Sequence, residues 1–233
     1  MEKEQGKVVA VILAGGSGTR FGGSVPKQFI EIEGKPVIAY SIDAFEQNEG
    51  IDEVAIVTNP DFFEDVRRII DSFGYKKVRK ILPGGKERYH SSLAAIDAYE
   101  DADWLMFQDA VRPLISQRVI DDCIKARFQH EAVDVAIKTT DTIIQVQDGR
   151  ISGIPPRSML MNGQTPQCFR RSIIRAAYEI GLKDPDFVTT DDCGVVFKYL
   201  PRIPVHVIEG DVRNMKLTYP EDLHLIKDLI VRV

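Results

Sequence analysis

Cysteine is scarce in this chain of 233 residues. The three present, Cys123, Cys168 and Cys193, lie far apart and include no Cys-x-x-Cys pair. A disulfide framework is therefore excluded, and the pattern fits small buried thiols in a reducing compartment. The four histidines (His90, His130, His206 and His224) contain no His-x-x-x-His pair, so a zinc site is not indicated. No uncharged apolar run approaches the roughly 18 residues of a membrane span. Met1 to Lys7 carries acids, and the short apolar run that follows passes into Gly-Gly rather than a small-residue cleavage site. The expectation is a soluble cytoplasmic protein with no signal peptide. Basic residues are not in excess either, 30 against 35 acidic ones for a net charge of −5, which argues against a nucleic-acid partner.

Nothing in the middle of the chain reads as a linker, so residues 1–233 are read as one domain. Strand-like and helix-like segments alternate, as in a sheet covered by helices on both faces. Val8 to Leu13 is a continuous β-branched run suited to a strand buried on both sides, and further strands fit Val54–Val57, Val78–Leu82, Trp104–Phe107, Val133–Ile137 and Val205–Ile208. Helices fit Pro36–Glu46, Phe62–Phe73, Ser91–Tyr99, Val119–Phe128, Arg170–Ile180, Asp191–Tyr199 and a last segment started by Pro220-Glu221-Asp222. Residues 139–163 break this rhythm. Thr142 to Ile151 reads as a hairpin turning at Asp148-Gly149, and an isolated hairpin is marginal in water. The expectation is an α/β fold, a single-domain, Rossmann-like, mostly parallel sheet, with a protruding β-arm at 139–163 that packs on a second subunit.

The stretch Leu13-Ala14-Gly15-Gly16-Ser17-Gly18-Thr19-Arg20, followed by Pro26-Lys27-Gln28, sits where the first strand ends. Glycines there can take positive φ and bring backbone N–H groups close to an anion, and Arg20 and Lys27 supply the cations a triphosphate requires. A bare strand-to-helix turn would need the glycines but not the cations. The dinucleotide fingerprint fails because Phe21 stands where its third glycine belongs and no acid closes the second strand, which runs into Asn59-Pro60. The P-loop fails because Gly23 is followed by Ser24 and Val25 rather than Lys-Ser/Thr.

Ligands of open α/β sheets bind at the carboxyl ends of the strands, and polar residues recur there. Gly84-Gly85-Lys86-Glu87-Arg88 follows one strand, and Asp109 and Arg112 follow another. Asp109 suits a magnesium ion held by one carboxylate and phosphate oxygens, although a turn or cap would also use an aspartate.

These motifs stand in order with Asp141-Thr142-Ile143, Gly163-Gln164-Thr165-Pro166-Gln167-Cys168-Phe169, Thr190-Asp191-Asp192 and Asn214-Met215-Lys216-Leu217-Thr218-Tyr219-Pro220-Glu221-Asp222-Leu223. Over essentially the whole chain this order resembles that of the polyol-phosphate cytidylyltransferases, nucleotide-diphospho-sugar transferase-type folds. The resemblance implies transfer of CMP from CTP to a sugar-alcohol phosphate, with Mg²⁺, in a homodimer. It implies that Leu13, Ala14, Gly15, Gly16, Gly18, Arg20 and Lys27 hold the triphosphate end, Gly84, Gly85, Arg88 and Ser91 the cytidine side, and Asp109 with Ala110 the metal and nucleotide. Lys216 would face the α-phosphate; Arg20, Lys27 and Lys216 are the catalytic cations. Arg112, Thr165, Thr190 and Asp191 would line the acceptor site, and Thr142 and Arg157 would reach in from the partner's arm.

Within this family the methylerythritol branch carries His before the aspartate of the Asp109 motif, Lys after Asp-Thr-Ile, and a distinct arm sequence. This chain has Gln108, Ile144 and Pro156-Arg157-Ser158-Met159-Leu160-Met161, and its Asp-Ala-Val-Arg-Pro and Gly-Gln-Thr-Pro-Gln resemble the ribitol branch more. The sequence thus favours ribitol 5-phosphate as acceptor, with 2-C-methyl-D-erythritol 4-phosphate as the alternative, and Gln108 matches neither branch. A nucleotide-binding regulator would keep the glycine loop but lose Asp109 or Lys216. A sugar-1-phosphate nucleotidyltransferase would be longer.

Overall fold

The computed structural model describes residues 6–16, 21 and 25–231. Its strands are β1 (Val8–Leu13), β2 (Glu31–Ile32), β3 (Lys35–Pro36), β4 (Glu53–Thr58), β5 (Val78–Pro83), β6 (Trp104–Asp109), β7 (Ala132–Lys138), β8 (Gln145–Gln147), β9 (Arg150–Gly153), β10 (Met161–Arg170) and β11 (Val205–Glu209). Its helices are α1 (Val37–Glu46), α2 (Phe63–Phe73), α3 (Arg88–Ala98), α4 (Gln117–Ala126), α5 (Arg171–Gly181), α6 (Asp192–Tyr199) and α7 (Asp222–Val231).

Seven strands form one sheet in the order β11-β7-β10-β6-β1-β4-β5, all parallel except β10, which runs against both neighbours. The unbroken apolar runs follow from burial on both faces. Val8, Ala10 and Ile12 join a cluster with Ile38, Ile42 and Phe45 of α1, while Val9 and Val11 join Ala95, Ile96, Ile174 and Tyr178 of α3 and α5 on the other side. The α1 face predicted from its spacing, Val37, Ile38, Ser41, Ile42 and Phe45, is buried throughout. Local signals set other boundaries. The Asn59 side chain accepts from Asp61 N before Pro60, and α2 stops at Gly74, whose φ of +67° suits a residue without Cβ. All three cysteines are free and buried, as their spacing suggested.

Two features depart from the sequence reading. The hairpin starts later than Thr142 and runs past Ile151, with Gln145–Gln147 paired to Arg150–Gly153. Asp148 (φ +52°) and Gly149 (φ +73°) do make the tight turn. The arm also ends sooner than residue 163, because Met161 to Gly163 already belong to β10 and pair with Ala136 to Lys138 of β7. Strand β10 had escaped notice because its Asn, Gly and Pro read as a loop. They are accommodated by a register shift between Gln164 and Cys168 around Thr165-Pro166. Among the described residues no helix is long and apolar enough to cross a membrane.

Candidate active site

The carboxyl ends of β1, β5 and β6 open into one cleft of about 480 Å³, within the range of small-ligand sites. The strand ends are tied together by main-chain bonds, Ala14 N to Val57 O at 2.7 Å and Ala110 N to Leu13 O at 3.0 Å. Of the residues singled out in the sequence, Leu13, Ala14, Gly15, Gly16, Lys27, Gly85, Arg88, Ser91, Asp109, Ala110 and Lys216 line the cleft. Gly18 and Arg20 lie outside the described residues.

At Gly84 and Gly85 glycine leaves room rather than supplying positive φ. Among the described residues only Gly34, Gly74 and Gly149 are glycines with positive φ. A Cβ on Gly84 would lie 3.0 Å from Ser91 Oγ, and one on Gly85 would collide with His90 Cβ at 2.4 Å. The expectation of left-handed glycines at the first-strand loop therefore fails for Gly15 and Gly16. Close packing of α3 against the strand ends supplies the reason at Gly84 and Gly85.

Asp109 is the hub. Its carboxylate meets Lys216 Nζ at 2.8 Å, Arg112 Nε at 3.7 Å and Arg88 Nε at 3.9 Å, a lysine and two arginines drawn from three separate segments. Burial acts to raise this carboxyl, but the charges of Lys216, Arg88 and Arg112 outweigh it and hold the group below its ordinary value. Burial works against the Arg88 charge, and Asp192 and Asp109 more than restore it. For Arg112 burial prevails, and Asp109 and Asp134 offset only part of it. Across their 3.7 Å gap Asp109 and Arg112 attract by charge without a hydrogen bond. Nη2 of Arg88 and Nε of Arg112 are buried without a hydrogen-bond partner. Of the two, only Arg88 lines the cleft, where a ligand oxygen could satisfy a donor.

Lys27 sits in a single 3₁₀ turn, Lys27–Phe29, behind Pro26. That turn is fixed by buried Gln28, whose Nε2 donates to Ala14 O at 2.8 Å, and Lys27 Nζ donates to Leu217 O at 2.9 Å. Lys27 and Lys216 thus converge although 189 positions separate them in the sequence.

The expected acceptor residues fall into two groups. Arg112 and Thr165 adjoin Asp109, and Thr165 Oγ1 accepts from Asp109 N at 3.1 Å. Thr142 and Arg157 lie on the arm, exposed, with Arg157 Nη2 donating to Thr142 Oγ1 at 3.0 Å, and neither lines the cleft. Thr190 is exposed outside the cleft lining, and Asp191 is the N-cap of α6, accepting from Gly194 N at 2.8 Å and from Gln167 Nε2 at 3.0 Å. Sequence reasoning missed the next residue. Asp192 is fully buried, pairs with Arg88 and accepts from Tyr178 OH at 2.6 Å. Its place in Thr-Asp-Asp was the available signal. Also missed were Phe21, Gln28, Lys86, Glu87 and Val111 in the cleft lining. Gln108 is buried beneath the turn, its Nε2 donating to Arg112 O at 3.3 Å. Among the described residues no group of three or more His, Cys, Asp or Glu could hold a metal; the carboxylates in the cleft lining are Asp109 and Glu87.

A family profile described as IspD, 2-C-methyl-D-erythritol 4-phosphate cytidylyltransferase, matches residues 8–232. The 2-C-methyl-D-erythritol 4-phosphate cytidylyltransferase of Thermobifida fusca is 40% identical over 232 residues, covering 96% of this chain and 93% of that protein. The bifunctional ribulose 5-phosphate reductase/CDP-ribitol pyrophosphorylase Bcs1 of Haemophilus influenzae is 38% identical over 228 residues, 96% of this chain but 48% of that protein. The crystal structure of 4-diphosphocytidyl-2C-methyl-D-erythritol synthase from Anaerococcus prevotii superposes with a TM-score of 0.86 at 27% identity, covering 97% of this chain and 99% of that one.

Proposed function

We infer the reaction from the premise that this chain belongs to the IspD family of 2-C-methyl-D-erythritol 4-phosphate cytidylyltransferases and is a nucleotidyltransferase that moves a cytidylyl group. Its acceptor, by this reading, is 2-C-methyl-D-erythritol 4-phosphate, and the products are the CDP-alcohol and pyrophosphate. The observation that carries the chemistry is Lys216 and Arg88 around Asp109 in the cleft that Lys27 also lines, with Arg112 beside Asp109 but not in the lining.

An oxygen of the acceptor phosphate attacks the α-phosphorus of CTP, a new P–O bond forms, and the bond to the β-phosphate oxygen breaks with its electron pair leaving on pyrophosphate. The nucleophile is already an anion, so no general base is required. The task is to bring two anions together and neutralise them. Lys216 faces the α-phosphate and Lys27 the departing pyrophosphate, and the family resemblance assigns Arg20 to the same task. Backbone of Leu13 to Gly16 and Gly18 approaches the triphosphate, while Gly84, Gly85, Arg88 and Ser91 hold the cytidine. Arg112, Thr165, Thr190 and Asp191 receive the acceptor, joined by Thr142 and Arg157 of a second subunit. Such pre-aligned cations are worth most in a site shielded from water.

Mg²⁺ fits the donor set, since it is commonly held by one or two carboxylates plus substrate phosphates and Asp109 supplies one. When bound it would neutralise triphosphate charge at Asp109. A reducing cytoplasmic setting suits three buried free thiols.

Ribitol 5-phosphate is a second reading, favoured by the similarity to the CDP-ribitol pyrophosphorylase and by Asp109-Ala110-Val111-Arg112-Pro113 and Gly163-Gln164-Thr165-Pro166-Gln167. The relatives named for methylerythritol phosphate match a larger share of their own length, and weigh the other way. Pyrophosphate release with CTP and each alcohol phosphate in turn decides between them. A higher kcat/KM with 2-C-methyl-D-erythritol 4-phosphate supports the main reading, a higher one with ribitol 5-phosphate the second. Equal turnover with ATP or GTP in place of CTP overturns both.

A further inference from the structure

Lys216 lies in an irregular segment between β11 and α7, where no helix or strand fixes its position. Fixation comes instead from a polar network beneath it. Asn214 is fully buried, and its Nδ2 donates to the Thr165 carbonyl at 2.7 Å, with Gln164 Oε1 at 3.5 Å. The Gln164 side chain in turn pairs with the main chain of Asp211 in both directions, Nε2 to O at 2.9 Å and Oε1 from N at 3.2 Å. It thereby replaces the strand neighbour that this segment lacks. The Asn214 carbonyl accepts from Arg112 Nη1 at 2.7 Å, and Leu217 N donates to Val111 O at 2.9 Å.

Thr165 is the common anchor. Its hydroxyl receives the Asp109 N–H and its carbonyl receives the Asn214 amide. The two members of the Lys216–Asp109 pair are thus keyed to one residue of β10. A side-chain amide that donates from a fully buried site is costly to misplace, because the Thr165 carbonyl would lose its partner with no water to replace it. Thr218 Oγ1 donates to Lys216 O at 3.2 Å, a bond that moves with the segment and cannot fix it.

We propose that Asn214 is a positioning residue that sets Lys216 over Asp109, with Gln164 as the second tie holding the same segment to β10. Asn214 is fully buried and does not line the cleft. Its effect runs through Lys216. The inference rests on the role given to Lys216 in the proposed transfer, and it adds that the strand leaving the arm sets the register of that lysine.

The test compares Asn214→Ala and Asn214→Asp with the wild-type chain. Aspartate keeps the shape of the side chain but presents oxygen to the Thr165 carbonyl, so it should fare no better than alanine. Each variant is expected to lose roughly tenfold or more in kcat with KM for CTP changed less than about twofold, the pattern of an interaction felt in the transition state. A second readout needs no turnover. Pulse acetylation with peptide mass spectrometry should show Lys216 reacting several-fold faster in Asn214→Asp than in the wild type, with exposed Lys183 unchanged as the internal control. In the wild type Lys216 should react more slowly than Lys183. If Asn214→Ala does not fold, Asn214→Asp and the milder Gln164→Glu carry the comparison, and the wild-type labelling ratio stands alone. A wild-type kcat in a folded Asn214 variant, an unchanged Lys216 labelling rate, or a wild-type Lys216 as reactive as Lys183 each overturns the proposal. A chain that turns over no alcohol phosphate at all would instead overturn the function, and the labelling would still report on the tie.

Discussion

Asp109 is held ionised by its neighbours, and the sign of that effect can be checked. Its folded-state value lies below the ordinary one, so the interactions of the carboxylate stabilise the fold fully above the unfolded value of about 3.9 and are lost as pH falls through the lower folded value. Asp109→Asn leaves Lys216 and Arg112 facing each other without the anion between them. The variant is therefore expected to be less stable by about 2 kcal/mol, below the usual figure for a broken buried pair because Lys216 is partly exposed. Urea unfolding from pH 3 to 7 should show a constant gap between wild type and variant above about pH 5, narrowing only in acid. A gap that closes near neutrality would mean the carboxyl is raised, not lowered. Asp109 and Lys27 were legible one at a time, as charges at predicted strand ends, whereas Lys216 was singled out through the family resemblance alone. Asp192 was not legible, because a buried aspartate and an exposed helix cap look alike in sequence, and only the fold puts Arg88 and Tyr178 against it.

The elements that were legible are those whose burial is uniform or one-sided. Strand β1 and helix α1 bury the residues their periods select. Strand β10 was illegible because its pattern is set by partners far away in sequence. Lying between β6 and β7 lets it keep Asn162, Gly163 and Pro166, which on propensity alone would end a strand. The arm was legible as an interruption, and its surface explains why it asks for a partner. Ile144 (48%), Val146 (58%), Ile151 (60%), Ile154 (60%) and Met159 (79%) are all exposed on it, more clustered apolar surface than a free hairpin sustains. If a second subunit covers that face, Val146→Asp with Ile151→Asp should shift the chain toward monomer in sedimentation velocity with the far-ultraviolet spectrum unchanged. A monomeric wild type, or a doubly substituted chain that stays dimeric, would rule the arm out as the contact.

At the scale of the whole molecule, charge is distributed unevenly. The chain carries a net −5, yet Lys27, Lys86, Arg88 and Lys216 line one cleft whose acids include Asp109 and Glu87. An anionic nucleotide is drawn to that cleft rather than to the surface at large. The same cleft lacks Thr142 and Arg157, which the arm carries away from it. If the acceptor phosphate needs Arg157, it must come from a second copy, and each working site then combines Lys27 of one subunit with Arg157 of the other. Chains bearing Lys27→Ala should lose roughly a hundredfold in kcat as one pre-aligned cation is removed, and chains bearing Arg157→Ala are expected to be nearly inactive alone as well. After subunit exchange, random pairing makes half the dimers mixed, and in each of these one site of two receives both wild-type residues while the other receives neither. The mixture should therefore recover about a quarter of wild-type activity, with KM for the alcohol phosphate back to its normal value. A site completed within one subunit predicts no gain, because every site would still lack one of the two residues. Exchange confirmed by native mass spectrometry with no recovery would rule out a site shared between subunits and leave the cytidylyl chemistry at Lys27, Asp109 and Lys216 standing.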